Sequence, residues 1–145
     1  MNNKPALTLI ELVIVMALVA ILSGVAVINF RKMRENQAMK LSSENIVSEL
    51  NRVRIFSREN RNEKSWGLKV VSESAYTIKV RDESGVSDLA SYELSSPVLF
   101  ADANFEVWFD QVTGNTGEDK RLQLRTPSGS VKNINISQYG VINIE

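Results

Sequence analysis

The sequence predicts an α+β protein, a long N-terminal α-helix packed through its second half on an antiparallel β-sheet domain. Three observations predict it. Residues 7–30 form an apolar run of about 24 residues, residues 31–59 contain no Gly or Pro and space their apolar positions as a helix does, and beyond residue 65 come short β-branched or alternating runs separated by turn residues. The 145 residues accordingly read as a short polar segment over 1–6, a membrane-length apolar helix over 7–30, an amphipathic continuation over 31–60 and a β-rich domain over 61–145.

The apolar run is the first element. At 1.5 Å per residue it is roughly 36 Å long, enough to cross a hydrocarbon core of about 30 Å. Its single charge is Glu11. A carboxylate inside such a segment costs at least about 2.5 kcal/mol on insertion scales, so it marks function rather than packing. The helix continues past Phe30. Met39, Ile46, Leu50 and Val53 follow one another at spacings of seven, four and three, Val47 and Phe56 widen the stripe, and Lys40, Glu44, Glu49, Arg52 and Arg58 lie off it. The whole helix is then about 50 residues and roughly 75 Å long, ending at Asn60-Arg61-Asn62.

Strands follow at 66–71 and 76–80, joined through Ser72 to Ser74, with a polar turn at 81–85. Residues 86–96 read as an irregular connection. Short strands are predicted at 97–100 and 104–109, then a long polar loop at 111–120 holding Gly114 and Gly117. Residues 121–126 and 131–137 form a hairpin across Pro127-Ser128-Gly129-Ser130, and Tyr139-Gly140 turns the chain into a last strand at 141–145.

Composition narrows the function. Seventeen Lys and Arg balance seventeen Asp and Glu, so no global field steers the chain to nucleic acid. There is no Cys, which leaves stability to packing and assembly. There is no His, which removes the commonest general base and zinc ligand. No phosphate loop, zinc spacing or nucleophile motif appears, and adjacent acids such as Asp82-Glu83 lack the opposed geometry of a hydrolytic pair. No enzyme activity and no cofactor or metal is expected.

The stretch Leu7-Thr8-Leu9-Ile10-Glu11-Leu12-Val13-Ile14-Val15, behind a short leader ending in a small residue, resembles the prepilin signal of type IV pilins and type II secretion pseudopilins. The resemblance implies cleavage by a prepilin peptidase between Ala6 and Leu7, N-methylation of Leu7, and a role for Glu11 in subunit assembly. The freed amine of Leu7 is a cation that a neighbouring subunit's Glu11 can pair with when helices pack with a stagger, and such a buried pair acts mainly by setting register. Three positions depart from the family pattern: Ala6 for the usual Gly, Leu7 for the usual Phe, and Ile28 where many members have a kinking Pro. Without that Pro a more continuous helix is expected. Val98-Leu99-Phe100, Phe109 before a Gly-bearing loop, Leu122-Gln123-Leu124 and the Gly140-Val141-Ile142 ending are similar, more loosely, to H-type minor pseudopilins and FimT-like minor pilins.

The resemblance implies other pilin or pseudopilin subunits, the prepilin peptidase and an inner-membrane assembly platform as partners. It also implies a single-pass inner-membrane protein with its body in the periplasm. Arg31, Lys32 and Arg34, placed directly after the apolar run, would by the positive-inside rule put the body in the cytoplasm; the more specific motif is followed here.

Three clusters hold residues of the kinds that form sites. Asp110, Asn115, Glu118 and Asp119 could offer oxygen ligands to calcium, but their spacing fits no defined calcium loop and Lys120 and Arg121 adjoin them, so a solvated turn is expected. Arg52, Arg54, Arg58, Arg61 and Lys64 could meet phosphates, but Glu49, Glu59 and Glu63 interleave with them, so a salt-laced surface is expected and nucleic acid is not. Trp66, Tyr76, Trp108 and Phe109 read as core and its rim rather than a ligand platform. The alternative to a fibre subunit is a membrane-anchored extracytoplasmic binding domain that does not polymerise.

Overall fold

The computed structural model describes residues 8–59 and 63–145, with the side chains of 24–28 left out. Ala6, Leu7, the side chain of Ile28 and the predicted helix end at Asn60-Arg61-Asn62 lie outside the described residues. Helix α1 spans Leu9–Arg58. The chain forms two compact units, Met1–Arg34 and Glu35–Glu145.

In the first unit every described side chain from Thr8 to Ser23 is exposed, apolar residues on all sides of the helix included. A helix apolar all round is one that lipid or other helices cover. Among the described residues no helix is long and apolar enough to cross a membrane; described side chains of the run stop at Ser23 and resume at Asn29.

The second unit holds the folded core. Its strands are β1 (Ser65–Val70), β2 (Ala75–Asp82), β3 (Gly85–Glu93), β4 (Leu99–Phe100), β5 (Glu106–Phe109), β6 (Lys120–Arg125), β7 (Val131–Ile136) and β8 (Ile142–Ile144). The expected antiparallel β-sheet domain is built as two four-stranded sheets, ordered β3-β2-β1-β5 and β4-β6-β7-β8, and each of these pairings is antiparallel. β5 returns from the second sheet to pair with β1, bringing Trp66 opposite Phe109 and Leu68 opposite Val107.

The predicted stripe of α1 is the helix's share of the core. Ile46, Leu50 and Val53 are fully buried, Met39 nearly so, and Val47 and Phe56 pack at the margin. They join Leu68, Ile78, Val107 and Phe109 of the first sheet and Phe100, Leu122, Leu124, Ile134 and Ile136 of the second. Each such side chain contributes about 1.5–3 kcal/mol by leaving water. Ser57, also fully buried, ties the helix end to both sheets' surroundings: its hydroxyl accepts the Trp66 N–H at 3.0 Å and its carbonyl accepts that of Val112 at 3.0 Å.

Three assignments change in this region. Residues 86–96, read as irregular, contain most of the nine-residue β3. Its first five side chains are exposed whichever face they point to, so no alternation marks it in sequence. The strands expected at 97–100 and 104–109 shorten to β4 and β5.

Candidate functional site

Glu11 lies in the first turn of α1. Its Oε2 accepts the Thr8 N–H at 3.0 Å and the Thr8 hydroxyl at 2.9 Å, and its own N–H points to Thr8 Oγ1 at 3.4 Å. This is a capping box: Thr8 is the N-cap and Glu11 the reciprocal acid three residues on. The carboxylate also lies at the positive end of the helix dipole. Both capping bonds use Oε2, and Oε1 carries no bond among the described residues. Within one chain, then, Glu11 starts the helix through a single carboxylate oxygen. The sequence reading gave Glu11 an assembly role only and passed over Thr8, although Thr-x-x-Glu ahead of an apolar run is itself a helix-start signal.

The basic cluster at the other end of α1 is engaged from within. Arg54 donates to the carbonyls of Gly114 at 3.4 Å and Tyr139 at 3.0 Å. A Cβ on Gly114 would strike Arg58 and Arg54, and one on Gly140 would strike Arg54 and the Gly114 carbonyl, so the two guanidinium stems are clasped by backbone that only glycine permits. Both glycines also sit at positive φ. Arg52 pairs with Glu49 at 3.1 Å, donates to the Tyr92 hydroxyl at 3.3 Å and lies 5.8 Å from the Phe56 ring centre. Lys64 pairs with Asp82 at 3.0 Å. Arg61 lies outside the described residues. Of the described bases, Arg54 ties the helix to two loop carbonyls, while Arg52 and Lys64 are engaged by carboxylates.

The acids of the 110–119 loop are dispersed in the same way. Asp119 accepts the Gln138 N–H at 2.7 Å, Glu118 pairs with Lys120, and the Asp110 N–H donates to the Asn115 carbonyl at 2.8 Å. Among the described residues no group of three or more acids gathers to hold a metal ion. Val112 in this loop has φ of 71°, a left-handed conformation that a β-branched side chain rarely takes.

Of the four aromatics, Trp66, Tyr76 and Phe109 are core. Trp108 is different. Its ring covers Gly67, where a Cβ would meet it at 2.8 Å, and the Arg81 guanidinium stacks 4.2 Å from the ring centre. The indole N–H donates to Glu106 at 2.7 Å, and Glu106 pairs with Lys69 at 3.5 Å. That group braces the first sheet on the side away from its buried residues.

Residues 1–27 match a family model described as the prokaryotic N-terminal methylation motif. The match covers 27 of the 145 residues and includes Ala6, Leu7, Thr8 and Glu11. No curated protein and no solved structure matches the chain. The motif defines a type IV prepilin-like N-terminus and supports the pilin and pseudopilin family. It implies processing by a prepilin peptidase, methylation, and assembly with other pilin subunits after a membrane-anchored stage.

Proposed function

We propose that the chain is a minor pilin or pseudopilin, a non-enzymatic structural subunit of a type II secretion pseudopilus or a type IV pilus. In this reading it is held in the inner membrane by a single pass, with the globular unit in the periplasm. Prepilin peptidase cuts between Ala6 and Leu7, Leu7 is N-methylated, and α1 then packs among the helices of a fibre raised on an inner-membrane platform. The H-type and FimT-like resemblance favours a tip or priming subunit over the bulk of the fibre. The observation that carries the reading is the methylation motif over residues 1–27 joined to a helix whose described apolar side chains from Leu9 to Leu22 are exposed.

One observation favours the second reading, a membrane-anchored binding domain that does not polymerise. The capping box gives Glu11 a purely local reason to exist. Glu11→Gln separates the two, because Gln also serves at the third position of a capping box while carrying no charge. The assembly reading expects a stable, anchored Glu11→Gln protein that fails to enter fibres; incorporation at the wild-type level would leave capping as the residue's whole role. Intact mass and N-terminal sequence from native membranes test the pathway directly. A chain beginning at N-methyl-Leu7 is expected, and one still beginning at Met1 beside an active peptidase would move the binding-domain reading ahead.

A further inference from the structure

The edge strand β3 ends beside a small acidic cavity, and the two together define a binding site. β3 is an outer strand of its sheet, paired only with β2. The Leu94 N–H donates to the Ser74 carbonyl at 2.8 Å, so the backbone of Leu94 faces β2. Antiparallel ladders alternate, which turns Tyr92 and Ala90 the same way and leaves the N–H and C=O of Ser91 and Glu93 on the open edge. A break in register opposite Ile78 and Lys79 skips Leu89, so the regular open edge is Ala90 to Glu93. Most devices that protect such an edge are missing: β3 holds no Lys, Arg or Pro, and the bulge at Leu89 lies before this stretch.

The cavity lies where that stretch ends. It is about 220 Å³, room for one long side chain, and is lined by Glu49, Glu93, Tyr76, Tyr92, Asn45 and Ser42 among others. Glu49 Oε2 is buried and meets Arg52 at 3.1 Å, off the line of a hydrogen bond. Glu93 has no cationic partner among the described residues, while its neighbours along the sheet, Asp82 and Asp88, are paired with Lys64 and Lys79. Arg52, which meets Glu49 and donates to the Tyr92 hydroxyl, offsets one of the two carboxylates, so the space keeps the uncompensated negative charge of Glu93 and favours a cation over an anion. The surrounding sequence agrees, since residues 82–119 contain nine Asp and Glu and no Lys or Arg.

We propose that β3 accepts an extended segment of a different polypeptide as an added strand, through Ser91 and Glu93, with a Lys or Arg of that segment seated between Glu49 and Glu93. Added strands take affinity from main-chain hydrogen bonds and specificity from a pocket for one side chain. A second copy fits this description less well: its outer strands β3, β5, β4 and β8 carry no Lys or Arg, and of the strand residues of that kind only Lys120, Arg121 and Lys132 lie where β6 and β7 pair with each other alone.

The test uses the full chain in detergent micelles and two fluorescent hexapeptides, Thr-Val-Lys-Val-Thr-Val and the same peptide with Glu in place of Lys. Anisotropy is expected to give the Lys peptide at least about tenfold tighter binding, the scale of one well-placed charge pair. Glu93→Lys, at an exposed position, is expected to reverse the preference, and amide exchange at Ser91 and Glu93 to slow on binding while that at Glu83 does not. Equal affinity for the two peptides, no binding of either at millimolar concentration, or an unchanged preference in Glu93→Lys would overturn the proposal. Protection of Ser91 and Glu93 that grows with protein concentration without peptide would assign the edge to a second copy and overturn it too.

Discussion

Asp82 and Tyr76 give the domain an acid limb and an alkaline limb that single substitutions can remove. The Ser84 hydroxyl, then Lys64, then the Ser84 N–H hold the Asp82 carboxylate from 3.8 down to about 2. A depressed carboxylate adds stability above its unfolded pKa and loses it as pH falls through the folded value. Asp82→Asn is therefore expected to flatten the stability profile between about pH 4 and pH 2, read by urea unfolding at fixed pH. Tyr76 shifts the other way: burial, then the charge of Glu49, push it from 10 to about 12. The neutral phenol is the folded form, so its contribution is complete below pH 10 and lost as pH rises toward 12. Tyr76→Phe is expected to flatten that alkaline limb while leaving the acid one intact. At this scale the sequence was unevenly informative. Thr8 and Glu11 lie three apart, so a local rule could have found their bond. Trp108 and Gly67 are 41 positions apart in sequence and meet only because β5 pairs with β1.

Elements that bury one face were legible and those that do not were missed. The stripe of α1 from Met39 to Val53 and the hairpin of β6 and β7 show their periods because one side packs and the other does not. β3 shows none, because neither side of its first half is covered. That exposure is also what makes it available to a partner. The division into two sheets was equally out of reach, since strand pairing is set by tertiary packing and not by the period of any one segment. The first sheet offers a direct check of its bracing. Gly67→Ala would bring a Cβ to 2.6 Å from the Val107 carbonyl and 2.8 Å from Trp108. Overpacking of this sort costs about 1–3 kcal/mol. Thermal unfolding of the variant is expected at lower temperature, with loss of the near-ultraviolet signal of an ordered Trp108; an unchanged midpoint would mean the β1–β5 pairing is looser than its geometry.

For the whole molecule, the question is whether the chain leaves its leader behind. If the scissile bond follows Ala6, a bulky charge there blocks the peptidase, so Ala6→Glu is expected to accumulate at precursor mass in membranes; mature-size protein in that variant would move the cleavage site. The zero net charge conceals an uneven spread, with Lys and Arg absent from residues 82–119. Sequence reading located the N-terminal motif because it is contiguous, and could not locate the acidic cavity because α1, β2 and β3 each supply part of it. The path of the chain between the sheets carries one more consequence. β1, β2 and β3 come early, but the first sheet lacks its fourth strand until Phe109, and the second cannot form beyond β4 until Lys120. A chain emerging N-terminus first thus holds all four strands of the first sheet at Phe109 while the second sheet still has only β4. The shared core is completed only by residues 120–145, whose β6 and β7 bring in Leu122, Leu124, Ile134 and Ile136.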